Sequence, residues 1–106
     1  MKKMYIAVLD EVPDFIVPTL VAHSVINAHI NMCDDDAYKD WLDNSFKKVV
    51  LRVNRKEFAK ISQLHCWLGH ENTTLDGEKS CAVVLPIDDE FRPNVLRFAK
   101  MWKPQV

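Results

Sequence analysis

A chain of 106 residues with 48% hydrophobic content is long enough for one hydrophobic core and too short for two ordinary domains, so residues 1-106 are expected to form a single domain. With Gly at 2 and Pro at 5 the sequence lacks the composition of a disordered or linker segment, and its net charge of -1 offers no general attraction to nucleic acid. Three cysteines, Cys33, Cys66 and Cys81, without a Cys-x-x-Cys pair do not read as a disulfide framework or a thiolate zinc site, and a reducing, cytoplasmic setting is expected.

The apolar run Met4 to Leu9 stops at Asp10-Glu11. It is shorter than the about 7 to 15 residues of a signal peptide and the about 20 of a membrane span, and no membrane partner is expected. Its Tyr, Ile and Val content suits a strand buried on both faces. From Pro18 to Met32, Val21, Val25, Ala28 and Met32 recur at helical spacing, with Pro18 in the first turn. Asp34 to Asp36 then offer N-cap carboxylates to an amphipathic helix carrying Tyr38, Trp41, Leu42 and Ser45. Lys48 to Val53 is a β-branched run that predicts a strand. Asn54 and Glu57 have the spacing of a capping box opening a short helix with Phe58, Ile61 and Leu64 on one side. Residues near 64 to 69 and 81 to 86 are expected to pair as a hairpin around the polar segment His70 to Lys79. Arg92-Pro93-Asn94 is expected to open a last helix whose core face is Val95, Leu96, Phe98, Ala99 and Trp102.

The predicted fold class is therefore α/β: a four-stranded mixed sheet with helices on both faces, in the order β-α-α-β-α-β-β-α. That order resembles the type II peptidyl-tRNA hydrolases, and three stretches carry the resemblance. Val21-Ala22-His23-Ser24-Val25-Ile26-Asn27-Ala28 is similar to the Val-Ala-His-Ala-type run on the family's first helix. Trp41 followed by Lys48-Val49-Val50-Leu51-Arg52-Val53 resembles the family's Trp and Lys-Val-Val-Leu-Lys-Val strand. Asn72-x-Thr74 ahead of Ala82 to Pro86 is placed like the family's Asp-Ala-Gly-x-Thr loop and following strand.

The resemblance implies a site built from His23 as general base, Asn27 one turn later, Thr74 as donor or water-orienting group, and His70 where the family has Asp. Ile16 and Leu20 stand where the family has Lys and Gln, and neither can hydrogen-bond through its side chain. With His in place of Asp, His23 is expected to lack a neighbouring anion. The chain is accordingly read as a binding module with lost or much reduced hydrolase activity. The alternative is an active hydrolase of peptidyl-tRNA or a related ester that uses His23 as base.

No cofactor is expected. His65, Cys66 and His70 lie close in sequence, but strand alternation separates His65 from the other two, so no metal site is expected. Lys47, Lys48, Arg52, Arg55, Lys56 and Lys60 follow the acidic run Asp34 to Asp43, and could form one basic edge for tRNA or another RNA, or simply a solvated face. The resemblance also implies a homodimer, with the C-terminal helix as a candidate apolar surface.

Overall fold

A computed structural model describes residues 1–105 and contains β1 (Lys2–Leu9), α1 (Val17–Met32), α2 (Asp36–Asn44), β2 (Lys47–Val53), α3 (Arg55–Ile61), β3 (Cys66–Gly69), β4 (Cys81–Val84), β5 (Ile87–Asp88), α4 (Asn94–Arg97) and β6 (Lys100–Met101). The sheet is mixed and six-stranded, in the order β3-β4-β1-β2-β6, with β5 also pairing β1. β1 runs parallel to β2, with Lys3 opposite Lys47 and Leu9 opposite Val53, and antiparallel to β4, with Ile6 opposite Val83.

β1 is central, which is why Met4 through Leu9 are all buried. Its alternation sends Met4, Ile6 and Val8 into one core with Leu20, Ala28, Tyr38, Trp41 and Val83. Tyr5 and Ala7 point into the other, with Leu51, Val53, Ile61, Ala82 and Leu96. Thus α1 and α2 cover one face of the sheet, and α3 and α4 the other. The expected mixed α/β architecture with helices on both faces is present.

Local chemistry starts and stops the elements. The Asp35 side chain accepts from Ala37 N at 2.9 Å to open α2, and Trp41 Nε1 donates to Lys47 O at 2.7 Å, docking that helix on the start of β2. α3 opens on a complete capping box: Glu57 N donates to Asn54 Oδ1 at 2.8 Å and Asn54 N to Glu57 Oε1 at 2.9 Å.

The expectations differ from the structure mainly beyond residue 84. The sheet has six strands rather than four, because β5 and β6 are too short to leave a periodic signal. The last helix ends at Arg97, and the chain then turns along β2, where Trp102 N donates to Val50 O at 2.9 Å. Pairing of β6 covers an otherwise open strand edge, an advantage a helix to Trp102 would forfeit. Phe98, expected in the core, is 75% exposed as a result. The segment Asp14–Met32 is long and apolar enough by length and composition to cross a bilayer; here its Val17, Leu20, Ala28 and Met32 side chains lie in the core, while Ile26 and Ile30 face outward.

Candidate functional site

The site begins with an unusually close approach between a helix and a strand. Gly69 ends β3 directly against Ser24 of α1, and a Cβ on Gly69 would fall 2.0 Å from Ser24 Oγ. Ser24 is fully buried, its hydroxyl donating to Leu20 O at 2.7 Å. Seating Ser24 on the end of β3 turns its neighbours His23 and Asn27 toward the segment that follows Gly69. There they line a cleft of about 150 Å3 together with Trp67, His70 and Lys79, room for a few waters or a small polar group.

The segment 70–79 closes that cleft through a left-handed turn, in which Leu75, Asp76 and Gly77 have φ of 48°, 53° and 75°. The turn folds Glu71 under His23, with Glu71 Oε2 3.1 Å from His23 Nε2. The carboxylate is 14% exposed and the imidazole 57% exposed, so the anion sits below and the base opens to solvent. The separation is that of an ion pair, although Glu71 Oε2 accepts no well-aligned hydrogen bond. A carboxylate at Nε2 favours the ring proton there, which leaves the Nδ1 lone pair available.

A second pair flanks the first. Lys79 Nζ lies 3.1 Å from His70 Nδ1. An ammonium can only donate, so Nδ1 must accept and the ring proton of His70 stands on Nε2. The cleft is therefore lined by two imidazoles, His23 and His70, together with the Lys79 ammonium and the Asn27 amide.

His23, Asn27 and His70 are brought together, whereas Thr74 is not among the residues lining the cleft. Thr74 instead builds the loop: its N–H donates to Glu71 O at 3.1 Å and its carbonyl accepts from Gly77 N at 2.9 Å. The expectation that His23 lacks an anion is overturned by Glu71, which the chain supplies one residue after His70. Lys79 was likewise missed. Both belong to a polar run that reads as loop, and no local pattern marks Glu71 as meeting His23 or Lys79 as meeting His70. Ile16 packs against the core and Leu20 is fully buried in it, so those two positions contribute nothing polar.

The six basic residues do not share one edge. β2 is flanked by β6, and strand alternation puts Lys48 and Arg52 on the α1 side and Lys47 on the other. Lys48 Nζ lies 3.2 Å over the Phe46 ring and donates to Phe46 O at 2.7 Å. Arg52 pairs with Asp14 Oδ1 at 3.1 Å and Lys103 O at 2.6 Å. Arg55 is held by Glu11 and Glu78, whose carboxylates push its guanidinium well above the usual range. Lys56 and Lys60 lie four residues apart on exposed positions of α3. No cluster of three or more His, Cys, Asp or Glu side chains suited to a metal ion occurs among the described residues.

No protein-family model and no curated protein matches this chain.

Proposed function

We propose that the protein is a hydrolase of the peptidyl-tRNA hydrolase II kind, cleaving an acyl or peptidyl ester slowly, with His23 as its general base. The observation carrying this reading is Glu71 Oε2 at 3.1 Å from Nε2 of His23, a residue that lines a cleft with Asn27, His70 and Lys79. One of the sequence arguments against catalysis is the missing anion, which Glu71 supplies; the apolar Ile16 and Leu20 remain.

In this mechanism His23 Nδ1 takes a proton from a water that adds to the ester carbonyl. Glu71 balances the charge of the imidazolium, and the same proton passes to the departing hydroxyl oxygen as the carbon–oxygen bond breaks. The His70 Nε2–H, the Asn27 amide and the Lys79 ammonium are the donors available to the carbonyl oxygen as it gains negative charge. Lys79 is also the cation nearest the chemistry for a phosphate of an RNA substrate. Turnover is slow because Ile16 and Leu20 cannot position water or substrate; those same two residues favour the second reading, a module that binds RNA without cleaving it.

The test is release of peptide from a peptidyl-tRNA by purified protein, beside His23→Ala and Glu71→Gln. General-base assistance is worth about a hundred- to ten-thousand-fold, and His23→Ala should forfeit a factor in that range. Binding without turnover would leave the non-catalytic module, and neither binding nor turnover would remove both readings.

A further inference from the structure

We infer that Arg55 is a positioning residue for this cleft: by gripping Glu78 it holds the 70–79 segment so that Glu71 and Lys79 stay beside His23 and His70. The inference deepens the hydrolase reading and rests on it for its catalytic meaning, while the clamp itself stands on geometry.

The segment is anchored at separate points along its length, and Arg55 supplies the one at Glu78. Its backbone hydrogen bonds are internal, from Thr74 N to Glu71 O at 3.1 Å, Gly77 N to Thr74 O at 2.9 Å and Glu78 N to Leu75 O at 2.9 Å, with Ser80 N to Gly69 O at 2.9 Å closing its base. Three successive residues with positive φ, two of them not glycine, form a turn that L residues disfavour. Such a turn persists only where its surroundings enforce it. Leu75 packs against the core from the middle of the segment, and Glu71 meets His23 at its start. At its end, Arg55 Nη1 and Nη2 donate to Glu78 at 2.7 and 3.1 Å.

The opposite side of the guanidinium is equally engaged: Nε and Nη2 donate to Glu11 at 2.5 and 2.8 Å. Both pairs are two-pronged, the arrangement in which guanidinium fixes geometry best. Arg55 is also the first residue of α3, immediately after the Asn54 cap, so its backbone is among the better-anchored points near the loop. With its donors on two carboxylates it is poorly placed to contact phosphate, and the same engagement suits it to bracing the loop.

The experiment compares Arg55→Ala, Arg55→Lys and Glu78→Gln with the parent in amide hydrogen exchange, His23 ring NMR and peptidyl-tRNA turnover. Arg55→Ala and Glu78→Gln should speed exchange at Gly77 and Glu78 by roughly one and a half- to fivefold, the range open to the one exposed ion pair that reaches the segment. Amides of β1 and β4 should not change. The His23 ring resonance should move toward its position in Glu71→Gln, and Arg55→Lys should recover part of both effects. In turnover, Arg55→Ala should lower kcat more than it raises KM, and should add little in a Glu71→Gln background, since both act through one contact. A parent without turnover would defeat the hydrolase reading, and exchange and the His23 resonance would then decide the clamp alone. Unchanged exchange and an unmoved His23 resonance in Arg55→Ala would overturn it, as would losses from Arg55→Ala and Glu71→Gln that multiply.

Discussion

Replacing Gly69 with Ala tests the contact on which the cleft is built. The Gly69 backbone is not left-handed, so the conflict is purely one of space. The added Cβ would lie 2.0 Å from Ser24 Oγ, 2.8 Å from Ser24 Cβ and 3.4 Å from Ser24 Cα. Rotating the hydroxyl away relieves only the first contact and gives up its bond to Leu20 O. The second requires α1 to move off the end of β3. Overpacking a tight interior costs about 1–3 kcal/mol, and a clash reaching to a helix Cβ belongs at the top of that range, about 3 kcal/mol. At about 4–8 °C per kcal/mol for a domain near this size, the midpoint of thermal unfolding should fall by roughly 12–24 °C. Urea and thermal unfolding followed by circular dichroism would measure it. Ser24→Gly removes both offending atoms, at about 1 kcal/mol for a glycine inside a helix, so the cost of Gly69→Ala should largely vanish in that background. A Gly69→Ala protein within about 0.5 kcal/mol of the parent, or a loss undiminished by Ser24→Gly, would refute the close approach and with it the placement of His23.

Asn54→Ala should cost about 1 kcal/mol by removing the α3 cap, read as a lower urea midpoint, and a change also in the denaturant slope would argue against so local an effect. Burial pushes the Cys81 thiol up to about 12, and desolvation raises half-buried Cys66 as well; in native protein at pH 8, alkylation followed by mass spectrometry should label Cys33 first and spare Cys81 until the chain unfolds. Hydrogen bonds from Lys3 and Tyr5 hold the Asp89 carboxyl at about 2, below its usual 3.8. A carboxyl lowered by folding contributes stability above its unfolded value and loses it as pH falls through the folded one, so Asp89→Asn should flatten the acid loss of stability between about pH 4 and about 2. An acid limb in Asp89→Asn identical to the parent's would remove Asp89 from that account.

The elements legible in the chain were those whose signal is local. Val21, Val25, Ala28 and Met32 repeat at a helical period, Lys48 to Val53 is β-branched, and Asn54 with Glu57 spells its own cap. α1, β2 and α3 accordingly lie where they were expected. β5 and β6 were not legible, because two residues have no period and are strands only by virtue of the neighbour they pair with.

The candidate site divides in the same way. His23, Asn27 and His70 were named through the resemblance of their two stretches to the peptidyl-tRNA hydrolase II motifs, and residue type and spacing alone do not single them out. By itself the sequence determined the mixed α/β class, where α1, α2 and α3 start and the burial of β1, all consequences of periodicity, run length and capping within a few residues, whereas α3 stops at Ile61, short of Leu64. Only the tertiary structure decided that Glu71 supplies the anion at His23, that Thr74 builds the turn and lies outside the cleft lining, that Lys79 meets His70, and that Arg55 is spent on carboxylates. Those outcomes depend on where a left-handed turn sends side chains and on which charges from distant segments arrive together. No local pattern encodes a distance between residues that meet only once the sheet is assembled.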